Sequence, residues 1–181
     1  MIIRHAEKHS NGGVDRGVNV DGVHTKHELT VRGWQRAGAL APFFAPPAGS
    51  PGHAQISTPR SIFASASTKQ SPSLRPQHTV APLAALLGIE IDRAHACGEE
   101  AAMAAAALTA ASPVLIVWHH SHIIELARRI AGGQLACPVH WPDDRFDVVW
   151  VLDRDDDPSA GPWRFTQVPQ RLFAHDPPDA I

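Results

Sequence analysis

The sequence lacks the features that mark several large classes of protein. Its 181 residues include only two cysteines, Cys97 and Cys137, too few for a disulfide framework and suited to a reducing compartment. The formal net charge is −2, so there is no basic excess to bind nucleic acid or an anionic membrane. No run of about 18 apolar residues could span a bilayer, and residues 1–8 have no signal-peptide pattern. We therefore expect a cytoplasmic protein that binds neither nucleic acid nor a membrane.

Lysine is scarce as well, and most of the basic residues are arginine. Of the 16 lysines and arginines, three are lysine and 13 are arginine, and the chain also has 12 histidines. Arginine binds carboxylate or phosphate through two parallel hydrogen bonds, whereas lysine offers only a point charge. The composition therefore favours oxyanion chemistry.

The order of apolar runs predicts an α/β fold. Residues 114–118 (Val-Leu-Ile-Val-Trp) are apolar throughout, as in a central parallel strand that is buried on both faces. Further strands are predicted at residues 2–3, 62–64, 89–91, 148–152 and 163–166, the last two as a hairpin across an Asp-rich turn at 153–157. Helices are predicted after the N-cap Thr30, over 75–87 before Gly88, over 101–111 and over 123–130. Strands that alternate with helices imply a mainly parallel sheet, in a single domain over residues 1–181.

The first of these helices is expected to bury one stripe of its surface. At helical spacing this stripe consists of Val31, Trp34, Ala37, Gly38 and Ala41. Residues 9–28, which precede the helix, are polar and rich in glycine, and we interpret them as a long loop.

Two polar clusters follow predicted strands at the point where each strand ends. Arg4 and His5 come directly after the first strand, and His119 and His120 follow the run at 114–118. In open α/β sheets, ligands bind outside the carboxyl ends of the strands. If the two strands are neighbours, imidazole and guanidinium groups meet in one pocket.

Four segments, in this order, resemble the signature of the histidine phosphatase superfamily, the phosphoglycerate mutase-like proteins. Residues 4–7 (Arg-His-Ala-Glu) resemble its Arg-His motif, and residues 29–37 (Leu-Thr-x-x-Gly-x-x-Arg-Ala) resemble its first-helix pattern. Ser65 followed by residues 75–80 (Arg-Pro-x-His-Thr-Val) resembles a third segment, with a longer spacing than usual. Residues 114–120 resemble the strand that carries the family's second histidine. The matches extend from residue 2 to about residue 130.

The resemblance implies a three-layer α/β/α sandwich of the phosphoglycerate mutase-like kind and an activity of its small phosphatase branch. It implies that His5 is the nucleophile in a metal-independent hydrolysis of a phosphate monoester, through a phosphohistidine intermediate. Arg4 and Arg75 would bind the phosphate. The substrate would be a small phosphorylated molecule or a phosphoprotein, selected by the loop at 9–28, and no cofactor is expected.

Two further roles each have two candidate residues. Counting to the following helix favours His119 as the second histidine. The Trp-polar-His form of the motif favours His120, which we take as catalytic, with His119 lining the phosphate pocket. Adjacent side chains of a strand point to opposite faces, so the two cannot share one role. For the proton donor to the leaving group we take Glu100, with Glu99 nearly equal.

Two other functions fit the same residues. One is a phosphate-binding module without turnover. The other is a zinc-dependent hydrolase, because His5-x-x-x-His9 and His119-His120-x-His122 contain residue types that bind zinc. We expect no metal, because neither motif has a companion cysteine pair and Arg4 beside His5 would repel a cation.

Overall fold

The computed structural model describes residues 1–9, 15–133, 135–154 and 163–181, and its strands form one mixed sheet. The order of the six strands is β3-β2-β4-β1-β5-β6. The pairs β3–β2, β2–β4 and β4–β1 are parallel, while β5 is antiparallel to both β1 and β6. The elements are β1 (Ile2–Arg4), α1 (Val31–Phe44), β2 (Ser61–Ala64), α2 (Arg75–Leu87), β3 (Ile91–Asp92), α3 (Glu100–Thr109), β4 (Val114–Trp118), α4 (His120–Ile130), β5 (Val148–Asp153) and β6 (Arg164–Pro169). The predicted α/β class and the C-terminal hairpin are confirmed.

Helices cover both faces of this sheet. Successive side chains of a strand point to opposite faces, so each central strand contributes to an apolar cluster on either side. Ile2 and Trp118 pack in one apolar cluster, which includes Leu126 of α4. Ile3, one position further along β1, lies in the other cluster with Leu83 of α2. The central strands are therefore buried on both sides, which is why residues 114–118 are apolar throughout.

The ends of α1 and α2 follow from their capping residues. The Thr30 hydroxyl accepts the backbone N–H of Gly33 at 3.1 Å and caps the first turn of α1, as predicted. At the end of α2, Gly88 adopts a φ of 65°, a left-handed conformation that glycine takes without strain. Both helices begin and end close to the positions expected from the sequence.

The predicted buried stripe of α1 is wrong in part. Val31 is 63% exposed and Gly38 is exposed as well, whereas Arg36 is buried. The Arg36 guanidinium can face the core because it forms hydrogen-bonded ion pairs with Glu7 and Asp176. A reading based on apolar residues alone therefore misplaces the buried face.

Several other element boundaries differ from the predictions by one to three residues, and two of these differences have a clear physical cause. β3 begins at Ile91 rather than at Ile89, because the Ile89 N–H donates to the Ala84 carbonyl and still belongs to the end of α2. α4 begins at His120, three residues before its apolar face starts, since the first turn of a helix need not be apolar. The predicted turn at 153–157 lies mostly outside the described residues, as does part of the loop at 9–28.

Both cysteines are free thiols. Over the described ranges, no helix combines the length and the apolar character that are needed to cross a bilayer.

Candidate active site

The two polar clusters predicted from the strand ends meet in space. β1 and β4 are parallel neighbours in which Arg4 is in register with Trp118, and the His5 N–H donates to the Trp118 carbonyl at 3.2 Å. The rings of His5 and His119 lie edge to face with 5.6 Å between their centroids. The sheet therefore brings both clusters to one place at its carboxyl edge.

The His5 ring is buried and held in a defined orientation. Its Nδ1 lies 2.8 Å from the Ala6 carbonyl oxygen, which can only accept, so Nδ1 carries the proton and Nε2 keeps its lone pair. Burial, followed by the charge of Arg4, holds the pKa of His5 well below its usual value. At neutral pH the ring is therefore neutral, with a nucleophilic nitrogen.

The Arg4 guanidinium beside it forms hydrogen bonds through Nη1 only, among the residues that the structure describes. Its Nη1 donates to three backbone carbonyls, those of Pro142, Asp143 and Arg145, at 2.8–3.1 Å. Its plane lies over the Phe146 ring, 3.8 Å from the centroid. Nε and Nη2 are buried and have no hydrogen-bond partner among the described residues. Burial lowers the Arg4 pKa to about 10, so the group stays cationic at neutral pH.

Arg75 and His119 add further unpaired nitrogens. Arg75, the first residue of α2, donates from Nη2 to the Lys26 carbonyl at 2.9 Å, while its Nε is buried without a partner in the described part of the chain. The same holds for Nε2 of His119. Burial, followed by the charge of Arg75, lowers the His119 pKa to about 4. Buried donors without partners are costly in an empty site and are satisfied when an anion binds.

Three residues complete the surroundings of the pocket, and sequence reasoning did not single them out. The Thr79 hydroxyl accepts the Ala6 N–H at 2.8 Å and donates to the Arg75 carbonyl at 2.7 Å, so it joins the end of β1 to α2. Burial, followed by the charges of Arg4 and Arg75, lowers the pKa of Lys8. Thr79 lies within a segment that carries the family resemblance. By contrast, no sequence pattern points to Phe146, because its contact with Arg4 joins distant parts of the chain.

His120 has a different environment from His119. Its Nε2 lies 2.7 Å from a carboxylate oxygen of Asp143, while its Nδ1 is buried and unpaired within the described ranges. It is His119 whose ring lies against His5. The sheet therefore places His119 against His5, whereas the sequence predicts that His120 is the catalytic one of the two.

Glu100 is near the sheet edge, but its carboxylate already has three hydrogen-bonding partners within the protein. One oxygen accepts the Gly98 N–H at 2.9 Å and the Trp118 indole N–H at 3.0 Å, and it pairs with Nδ1 of His122 at 3.0 Å. Burial raises the Glu100 pKa, but these hydrogen bonds outweigh that effect and hold it below its usual value. An ionised, bonded carboxylate is a poor proton donor. The exposed Glu99 instead accepts the Ala96 N–H at 2.7 Å.

The two histidine motifs considered for zinc are not brought together as ligand sets. His9 Nδ1 lies 2.7 Å from the Asp15 carbonyl oxygen, and His122 pairs with Glu100. Within the described residues, the group of side chains able to hold a metal ion consists of Cys97, Glu100 and His122, and it includes neither His5 nor His9.

The fold and the site together define an α/β protein with a buried, cationic histidine pocket at the carboxyl edge of its sheet. Comparison of the chain with models of known protein families and with curated proteins found no match.

Proposed function

We propose that the protein is a phosphatase that hydrolyses a phosphate monoester without a metal, through a phosphohistidine on His5. One observation carries the proposal. The neutral His5 ring, with its Nε2 lone pair, lies beside an Arg4 guanidinium whose Nε and Nη2 are buried and unpaired among the described residues. Hydrogen bonds from charged donors contribute about 1.5–3 kcal/mol each, so an oxyanion is favoured here. The resemblance to the histidine phosphatase superfamily supports the same reading.

The reaction would proceed in two displacements. His5 Nε2 attacks phosphorus, and the bond from phosphorus to the leaving oxygen breaks. Water then attacks the phosphohistidine, which releases inorganic phosphate and restores His5. Water thus supplies the hydroxyl of the phosphate and the proton that the alcohol product gains. Arg4, Arg75 and His119 hold the three equatorial oxygens, as phosphoryl transfer requires.

A cavity next to the pocket supports a small organic leaving group. It has a volume of about 450 Å³ and is lined in part by Lys8, Arg32, Asp143 and Phe146. This volume lies within the range of small-molecule sites. Because Phe146 also lies against Arg4, we infer that the leaving group of the substrate occupies this cavity.

The first test measures turnover of p-nitrophenyl phosphate in the presence of EDTA. This substrate needs no proton donor, because its leaving group is stable as an anion. We expect turnover by the wild type to survive chelation, and His5→Ala to lower it by at least about 10³-fold, since the nucleophile is gone. The same change at the exposed His53 serves as the matched control.

Other outcomes would support the competing functions. Binding of phosphate without any turnover would indicate a binding module. The hydrogen bonds that hold the Glu100 carboxylate favour this alternative, because they leave the pocket without that proton donor. Turnover lost in EDTA and restored by zinc would indicate a zinc hydrolase. A chemical test adds to these: label from a phosphorylated substrate should be acid-labile, alkali-stable and located on His5. A label on serine or aspartate would refute the proposal.

A further inference from the structure

A second cluster of chemically competent side chains lies between the first turns of α3 and α4. Cys97 comes from the turn that leads into α3, Glu100 is the first residue of α3, and His122 comes from the first turn of α4. The Cys97 Sγ, a Glu100 carboxylate oxygen and a His122 ring nitrogen all lie within 4.8 Å of one another. Glu100 is 7% exposed, whereas Cys97 and the His122 side chain are partly open to solvent. The cluster is therefore packed on one side and reachable from the other.

The donor set indicates which class of ion would fit. Thiolate, imidazole and carboxylate are the ligands of zinc and of similar borderline metals, whereas calcium and magnesium prefer oxygen alone. Tetrahedral coordination at zinc bond lengths places ligand atoms about 3.3–3.6 Å apart. The His122 nitrogen and the Glu100 oxygen are already 3.0 Å apart, so small side-chain movements would complete the geometry.

The surroundings of the cluster suit a cation better than those of His5 do. Arg4 lies beside His5 and would repel a metal ion there, whereas the side chain and N–H groups described against Glu100 are the His122 ring, the Gly98 amide and the Trp118 indole. The Gly98 N–H and the Trp118 indole N–H both donate to Glu100 and fix its orientation. Gly98 has a φ of 99°, which turns the backbone sharply between Cys97 and Glu100. Such outer partners of a ligand are typical of metal sites.

We propose that Cys97, Glu100 and His122 bind one zinc-class divalent ion, with water as the fourth ligand. Binding releases the Cys97 thiol proton to solvent. The proton that Nδ1 of His122 donates to Glu100 is lost to solvent and the ring keeps one proton on Nε2, so that Nδ1 becomes a ligand. The ion joins the first turns of α3 and α4 and so stiffens the segment that follows His119. It takes no part in the phosphoryl transfer, and the proposal does not depend on the proposed function.

Cobalt(II) provides the test, because it substitutes for zinc and absorbs light. Titration of the metal-free full chain should give a thiolate-to-cobalt charge-transfer band that saturates at one equivalent and is abolished by added zinc. Cys97→Ser should remove this band, whereas Cys137→Ser, the matched control, should keep it. His122→Gln should weaken cobalt binding by at least tenfold. The same change at the exposed His53 should leave it unchanged.

A second readout is independent of the spectrum and of any enzymatic activity. With zinc at a hundredfold excess over its Kd, the melting temperature of the wild type should rise by about 5–10 °C. Cys97→Ser and His122→Gln should show no such rise, and circular dichroism verifies that both variants fold. No band, a band that survives Cys97→Ser, or a band lost in Cys137→Ser would overturn the proposal.

Discussion

Arg4 divides its hydrogen-bonding capacity between the fold and the pocket. Nη1 is used by three carbonyls of residues 142–145, while Nε and Nη2 find no partner in the described part of the chain. The fixed half of the guanidinium orients the free half toward an anion. A lysine could not do both, because its ammonium has no planar fork. The bias toward arginine in the composition thus has a physical meaning at this position.

The first prediction distinguishes the contributions of the two adjacent histidines, His119 and His120, to turnover. Because the His119 ring lies against His5 and its Nε2 is unpaired in the described structure, His119→Asn should lower kcat/KM by about 10²–10³-fold. His120→Asn should cause a smaller loss, since that ring bonds to Asp143. The measurement is steady-state hydrolysis of p-nitrophenyl phosphate by both variants. A larger loss in the His120 variant would contradict the assignment.

Part of this pocket could be predicted from the sequence. The positions of Arg4 and His5 at a strand end, beside a second strand that ends in histidine, were sufficient to predict their convergence. Which of His119 and His120 faces His5 depends on backbone angles where β4 passes into α4, and no residue pattern reports these. Glu100 was expected to be a proton donor, yet it is bonded by Trp118 and His122, side chains whose direction the sequence does not specify.

At the scale of elements, α1 packs closely on the chain that leaves β1. The Thr30 N–H and hydroxyl both donate to the Glu7 carbonyl, and Gly33 lies directly over the same backbone. A side chain at residue 33 would put its Cβ 2.5 Å from the Glu7 carbonyl oxygen. This explains in physical terms why the Leu-Thr-x-x-Gly-x-x-Arg pattern at 29–36 has threonine and glycine at these positions.

The second prediction tests this close contact. Gly33→Ala should lower the free energy of unfolding by about 1–3 kcal/mol, because its Cβ has no room against Glu7. Gly38→Ala, in the same helix but with open space around it, should raise stability by up to about 1 kcal/mol. Urea unfolding of both variants gives the two values. Equal effects of the two substitutions would show that α1 does not pack as described.

The element pattern as a whole was predictable to a useful degree. Apolar runs located β1, β2 and β4, and capping residues located the start of α1 and the end of α2. The buried face of α1 was not predictable, because Arg36 occupies it through partners at residues 7 and 176. From its residue type alone, an arginine is predicted to lie on the surface. Arg36 is buried because Glu7 and Asp176, which are distant in the sequence, pair with it.

At the scale of the whole molecule, the buried neutral histidine makes stability depend on pH. The pKa of His5 is well below its usual value in the folded protein, whereas in the unfolded chain the same imidazole has a pKa of about 6.5. The unfolded state then binds more protons, so the contribution of the neutral His5 to stability is present above pH 6.5 and is lost as the pH falls below it. Each such group contributes a slope of up to about 1.4 kcal/mol per pH unit.

The third prediction concerns this slope. Between pH 6.5 and 5, where carboxylates are still mostly ionised, the wild type should lose stability as the pH falls, and His5→Asn should reduce the loss. Urea unfolding at several pH values measures both curves, with His53→Asn as the control for losing one exposed histidine. Parallel curves for the wild type and His5→Asn would show that His5 is not buried in its neutral form.

The carbonyls that fix Arg4 come from residues 138 to 141 positions further along the chain. While the chain is being synthesised, β1 leaves the ribosome well before residues 142–145, and Arg4 has no such partners until those residues have followed. Contacts of such long range form slowly, because the entropy of closing the loop must be overcome first. A nascent chain that ends before residue 142 therefore cannot orient Arg4 in this way, and the ability to hold an anion arises only after residues 142–145 have joined the fold.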